Sequence, residues 1–223
     1  MIMNKLQKNQ IIEKIEKNKI IAIIRGVPKE KLISLCDALY KGGIRILELT
    51  YSADGSVSDT ETASNIKMLS EHFKDKLYVG AGTVITKQQV KLTRKAGGLF
   101  IISPNTDKKV IKATVRHGLI SIPGALTPSE ACEAKANGAD FVKLFPMKNM
   151  GSDYLKAIKA PLSHIKFLAV GGIDENNMGE YLKAKICGFG IGANIINKKM
   201  VETEDWDGIT ELAKKYMAVI EKA

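Results

Sequence analysis

Asn137-Gly138-Ala139-Asp140-Phe141-Val142-Lys143-Leu144-Phe145-Pro146 is the stretch that decides how this chain folds. The helical pattern before it opens at Thr127-Pro128-Ser129-Glu130, a capping box with proline at the first helical position. Gly138 suits the left-handed position that closes a helix. The run from Phe141 to Phe145 is short and apolar except for one residue, so it reads as a strand covered on both faces.

The same junction recurs along the chain. Lys41-Gly42-Gly43 precedes Ile44-Arg45-Ile46-Leu47, and Ala96-Gly97-Gly98 precedes Leu99-Phe100-Ile101-Ile102. His117-Gly118 precedes Leu119-Ile120-Ser121-Ile122. Counting such runs gives eight strands, near 20–25, 44–50, 77–82, 99–103, 119–123, 140–145, 165–170 and 187–192. Helical patterns follow each, near 29–41, 59–73, 86–96, 107–117, 127–137, 151–159, 174–184 and 205–221. Asp174-Glu175-Asn176-Asn177 reads as the start of the seventh of these. A further helix is expected near 6–18, carrying Leu6, Ile11, Ile12 and Ile15. No proline-, serine- or glycine-rich linker divides the chain, so 1–223 reads as one domain, with an N-terminal helix in 1–19 and the rest in 20–223. Eight buried strands alternating with helices predict an α/β fold, the (β/α)8 TIM barrel. The rival open, doubly wound sheet calls for a G-x-G-x-x-G turn after the first strand when it binds dinucleotides. Here that strand ends Arg25-Gly26-Val27-Pro28.

Composition narrows the function classes. The net charge of +10 admits nucleic acid, but the lysines are dispersed over nearly every helix and aromatics are only 6%, so no base-stacking surface is expected. A basic surface also steers anionic small molecules. Cys36, Cys132 and Cys187 are far apart and match no metal-ligand spacing, and His72, His117 and His164 are isolated, so no metal site is expected. No apolar run resembles a signal peptide or reaches the roughly 20 residues of a membrane span, and a reducing cytoplasm is the expected compartment.

In such barrels the chemistry lies at the C-terminal strand ends and the loops just after them. Lys143 is the lysine there. An ammonium in a buried strand is costly unless it is paired or loses its proton, and a lysine made less basic can attack a carbonyl carbon to form a Schiff base. The alternative is a lysine at a strand end reaching water. Glu48, in Ile46-Leu47-Glu48-Leu49-Thr50, is the carboxylate among these ends. It reads either as a general acid–base or as a structural partner for Lys143. Arg25 reads as a fork for a carboxylate or phosphate, or as a rim salt bridge. Thr83, in Val79-Gly80-Ala81-Gly82-Thr83-Val84, offers a hydroxyl to the same anion. Gly171-Gly172-Ile173 and Gly190-Ile191-Gly192-Ala193-Asn194 match the phosphate site usual after strands seven and eight.

Taken together, these residues resemble the KDPG/KHG aldolase family, the 2-keto-3-deoxy-6-phosphogluconate and 4-hydroxy-2-oxoglutarate aldolases. The likeness covers about 20–220 and includes the Glu48 and Lys143 strands, Ile102-Ser103-Pro104, Ile122-Pro123-Gly124 and Val170-Gly171-Gly172-Ile173. It implies a carbon–carbon lyase of class I, usually a homotrimer, that needs no metal or other cofactor. Lys143 would form the Schiff base with the C2 ketone, and Glu48 would move protons through water. Arg25 and Thr83 would hold the pyruvyl carboxylate, and Pro104 and Phe145 would shape the pocket. Gly171, Gly172 and the turn at Asn194 would receive the distal phosphate. Its products would be pyruvate and glyceraldehyde 3-phosphate.

Some family members carry arginine where Ser52 stands, many carry threonine for Val170, and serine is replaced by Asn194. These departures leave the galactonate epimer and 4-hydroxy-2-oxoglutarate open as substrates. A reading of a different class is a non-catalytic barrel that binds phosphorylated ligands, in which Lys143 only pairs charge.

Overall fold

The computed structural model describes residues 5–222. Met1 to Asn4 and Ala223, the ends of the span 1–223 expected as one domain, lie outside the described residues. The strands are β1 (Ile20–Ile24), β2 (Ile46–Thr50), β3 (Tyr78–Gly82), β4 (Phe100–Ile102), β5 (Ile120–Ile122), β6 (Gly124–Ala125), β7 (Val142–Leu144), β8 (Phe167–Val170) and β9 (Gly188–Ile191). All pair in parallel, in the order β5-β4-β3-β2-β1-β9-β8-β7-β6.

The expected eight strands are present, and the fifth is split. Only Pro123, which has no N–H to give a ladder, separates β5 from β6. β5 pairs with β4, whereas β6 pairs with β7. The Pro123 carbonyl still accepts from Lys143 N at 2.9 Å, and Ser121 O accepts from Asp140 N at 2.9 Å. The two ends of the sheet are therefore one strand path, and the barrel closes there.

The helices are α1 (Lys5–Asn18), α2 (Leu32–Lys41), α3 (Asp59–His72), α4 (Lys87–Lys95), α5 (Lys108–Arg116), α6 (Pro128–Ala136), α7 (Gly151–Lys159), α8 (Met178–Lys183), α9 (Lys198–Glu202) and α10 (Trp206–Glu221). The capping box at α6 forms as expected, with Thr127 Oγ1 accepting from Glu130 N and Glu130 accepting from Thr127 N. Gly138 follows at a φ of +102°. Two expectations change. α8 starts four residues later than the sequence pattern suggests. Asp174 accepts from the backbone N–H groups of Asn176 and Asn177, holding a turn ahead of the helix. α9 was not expected; it is one short turn region capped by Asn197, which accepts from Met200 N at 3.2 Å.

Side-chain parity then sorts the strands. Alternate residues face opposite sides. Leu47 and Leu49 of β2, with Val142 and Leu144 of β7, pack outward against the helices. Ile21, Ile46, Phe100, Ile120, Phe141 and Leu168 fill the barrel interior. Ile11 and Ile15 of α1 join that interior cluster and plug its N-terminal end. Burying each is worth about 1.5–3 kcal/mol. The ion pairs Lys8–Asp140 (2.8 Å) and Lys166–Glu16 (2.9 Å) add less, about 0.2–1 kcal/mol each where exposed, and chiefly orient the helix. Glu48 lies two residues beyond Ile46, and Lys143 two beyond Phe141. Both therefore share the inward parity, one layer nearer the open C-terminal end.

Candidate active site

At that end lies a cavity of about 710 Å³. Arg25, Glu48 and Thr83 line one side, and Pro104, Lys143 and Phe145 another. Gly171, Gly172 and Asn194 line the rest. Nine residues singled out from the sequence thus converge on one cavity, delivered by seven strand ends and the loops after them.

Lys143 is 7% exposed and held in register by Gly124 on one side and Leu168 on the other. Its Nζ lies 4.7 Å from the centroid of the Phe145 ring, a cation–π distance. Burial pushes its pKa below the ordinary lysine range; the Glu48 carboxyl works against that shift and Arg25 with it. Glu48 is 2% exposed. Burial pushes its pKa up, opposed by Lys143 and then Arg25. Burial is the largest influence on both, and it disfavours the charged form of each. No ion pair within 4.0 Å joins them, and Glu48 Oε2 is buried with no hydrogen-bond partner. An amine less basic than usual beside a carboxyl less acidic than usual, both buried in one wall, suits carbonyl addition and proton transfer.

The anion side is set by Arg25, whose Nη2 donates to Thr83 Oγ1 at 3.0 Å. Arg25 is exposed and lines the cavity, and among the described residues its other N–H groups have no partner, leaving them for a planar anion. Thr83 sits at a φ of +56°, an uncommon setting for a β-branched residue. Backbone strain of this kind clusters at ligand clamps. Across the cavity, Gly171 and Gly172 have φ of +94° and +72°. That left-handed pair turns the chain after β8 while leaving its backbone bare. Asn194 Nδ2 donates to Ile173 O at 2.8 Å, tying the turn after β9 to the turn after β8. Sequence reading missed Lys148, which lines the same cavity. The signal was present, since Lys148 lies in the loop directly after the Lys143 strand, where barrel chemistry collects.

Among the described residues, no group of three or more His, Cys, Asp and Glu is placed to hold a metal ion. No helix there is long and apolar enough to cross a membrane.

The sequence model described as KDPG and KHG aldolase matches residues 11–212. The chain belongs to the KDPG and KHG aldolase family. Its members are carbon–carbon lyases, and the chain shares their fold. It is 34% identical to a probable 2-dehydro-3-deoxy-6-phosphogalactonate aldolase of Rhizobium meliloti over 182 residues, 81% of this chain and 83% of that one. It is 29% identical to the 2-dehydro-3-deoxy-phosphogluconate aldolase of Haemophilus influenzae over 215 residues, 95% and 97% of the two chains. The crystal structure of the KDPG aldolase from Legionella pneumophila, with pyruvate captured as a covalent carbinolamine, matches with a TM-score of 0.79 and 29% identity, covering 93% of this chain and 97% of that one.

Proposed function

We propose that this aldolase cleaves a 2-keto-3-deoxy-6-phospho sugar acid through a Schiff base on Lys143. The placement of buried Lys143 and Glu48 on the wall of one cavity carries the reading. Lys143 Nζ adds to the C2 ketone, and water leaves to give the iminium. The C3–C4 bond then breaks, and its electron pair flows to the iminium nitrogen, forming the enamine. The C4 hydroxyl proton passes to Glu48 through water, and the C4–C6 fragment departs as glyceraldehyde 3-phosphate. Protonation of the enamine at C3 and hydrolysis release pyruvate and restore the amine. Arg25 and Thr83 hold the pyruvyl carboxylate, Pro104 and Phe145 flank the ketone, and Gly171, Gly172 and the Asn194 turn face the phosphate.

The gluconate and galactonate acids are C4 epimers and give the same products. The homologues named for each support both as candidates. The homotrimer and the cytoplasmic setting implied by the family are part of this proposal; Cys36, Cys132 and Cys187 are free thiols, as that setting requires. Borohydride reduction with pyruvate tests the chemistry. One pyruvyl mass should appear on the peptide holding Lys143. No adduct, or an adduct elsewhere, overturns the assignment. Cleavage rates for the two epimers and for 4-hydroxy-2-oxoglutarate then rank the substrates.

A further inference from the structure

Lys148 is a cation without a partner among the described residues, at the glycine end of the cavity. Its loop is fixed on two sides. Met147, 1% exposed, donates its backbone N–H to Val170 O at 3.0 Å, and Met150 N donates to Met147 O at 3.0 Å. The loop is so close to the glycine turn that a Cβ on Gly172 would meet Lys148 Cα at 2.7 Å and its Cβ at 2.9 Å. The Lys148 stem therefore lies against the bare backbone of Gly172. Among the described residues its ammonium forms no ion pair or hydrogen bond, although acids are abundant in the chain. Two acids also line the cavity: Glu48, buried beside Lys143, and Asp174, whose carboxylate accepts from Asn176 N and Asn177 N. The other cations lining the cavity are Arg25, which bonds Thr83, and Lys143 in the wall.

We propose that Lys148 is the charge that selects phosphorylated substrates, closing on the phosphate from the loop side while the backbone of Gly171 and Gly172 faces it from the other. A glycine turn supplies donors but little net charge. A phosphate dianion gains far more from an ammonium, which is a compact point charge on a flexible stem. The position of Lys148, five residues after Lys143, puts the two amines on one loop and strand. Both also line one cavity, where a single substrate would place its ketone at Lys143 and its phosphate at Lys148. The proposal deepens the aldolase reading and rests on it for the ketone end only.

Glycerol 3-phosphate, which has no carbonyl to react, isolates the phosphate end. Calorimetric titration should show it binding to the unaltered protein, roughly tenfold or more weakly to Lys148→Met, and close to normally to Lys148→Arg, as expected when a charge-assisted contact is removed or kept. Cleavage assays should show the KM of Lys148→Met raised by a similar factor for the 6-phosphorylated acid. Its kcat/KM for the unphosphorylated acid should stay within about twofold. Equal binding of glycerol 3-phosphate by all three proteins, or no binding by the unaltered one, overturns the role of Lys148. So does an equal loss on both acids. Pyruvate trapping at Lys143 in Lys148→Met reads the aldolase assignment separately, because it needs no phosphate.

Discussion

Gly82, at the end of β3, leaves the space that the Glu48 carboxyl occupies. A Cβ at position 82 would collide with the carboxyl oxygen, its carbon and Cγ. The backbone of β3 therefore shapes the pocket as much as any side chain does, and Glu48 keeps its buried position because its neighbour has none.

Gly82→Ala should consequently displace Glu48. Overpacking of this kind costs about 1–3 kcal/mol, read as a Tm fall of roughly 2–12 °C for a chain of this size. Moving a proton-transfer group by about 1 Å can cost around a hundredfold in turnover. Gly179→Ala in α8 is the control. Nothing lies within 4 Å of its added methyl, so that variant should hold or raise Tm and leave activity alone. Equal effects from the two substitutions would show that Gly82 has no link to Glu48.

Glu48→Gln keeps the shape and removes the proton carrier. Turnover should fall by about 10²–10⁴-fold, the range for a lost general acid–base. Trapping of pyruvate on Lys143 should fall much less, because addition of the amine comes before the bond cleavage that Glu48 assists. Stopped-flow trapping beside steady-state rates separates the two. A matched loss in both would make Glu48 a structural partner of Lys143.

The direction of the Lys143 shift fixes a pH profile. Protonated lysine cannot add to a carbonyl, so half-maximal trapping marks its pKa, which burial and then Arg25 hold below the ordinary 10.5. Acetaldehyde with cyanoborohydride is the suitable probe, because it has no carboxylate for Arg25 to bind. The midpoint should lie below pH 10.5. Arg25→Met removes a cation that disfavours the ammonium, so its midpoint should move up. Glu48→Gln removes the charge that favours the ammonium, so its midpoint should move down. Shifts of the opposite sign would mean that Lys143 is not governed by these neighbours.

The sequence made the barrel legible because its strands are short apolar runs between helical patterns, four of them set off by a helix-closing glycine, so eight runs could be counted without tertiary information. It also made Lys143 and Glu48 legible, since an ionisable group in an apolar run stands out at any register. Other features depend on contacts distant in the chain. The split at Pro123 follows from which neighbour each half of the strand meets. The late start of α8 follows from Asp174 bonding the backbone ahead of it instead of capping the helix. Lys148 looks like one more lysine in a lysine-rich chain until its loop is seen pinned against Gly172.

Thr83 should show a trade between stability and binding. Its φ of +56° costs an L-residue about 1–2 kcal/mol, and more when the side chain is β-branched. Glycine relieves that strain but adds roughly 0.5–1 kcal/mol of unfolded-chain entropy, so Thr83→Gly should gain up to about 1 kcal/mol, a Tm rise of around 2–4 °C. It also removes the hydroxyl that receives Arg25 Nη2, so the KM for pyruvate in the condensation direction should rise severalfold. Thr83→Ser keeps that hydroxyl and most of the backbone strain, and should leave both Tm and KM near their starting values. Thermal melts with condensation kinetics on the three proteins decide it. If Thr83→Gly lost stability while KM held, the strained backbone would be doing something other than presenting a hydroxyl to Arg25.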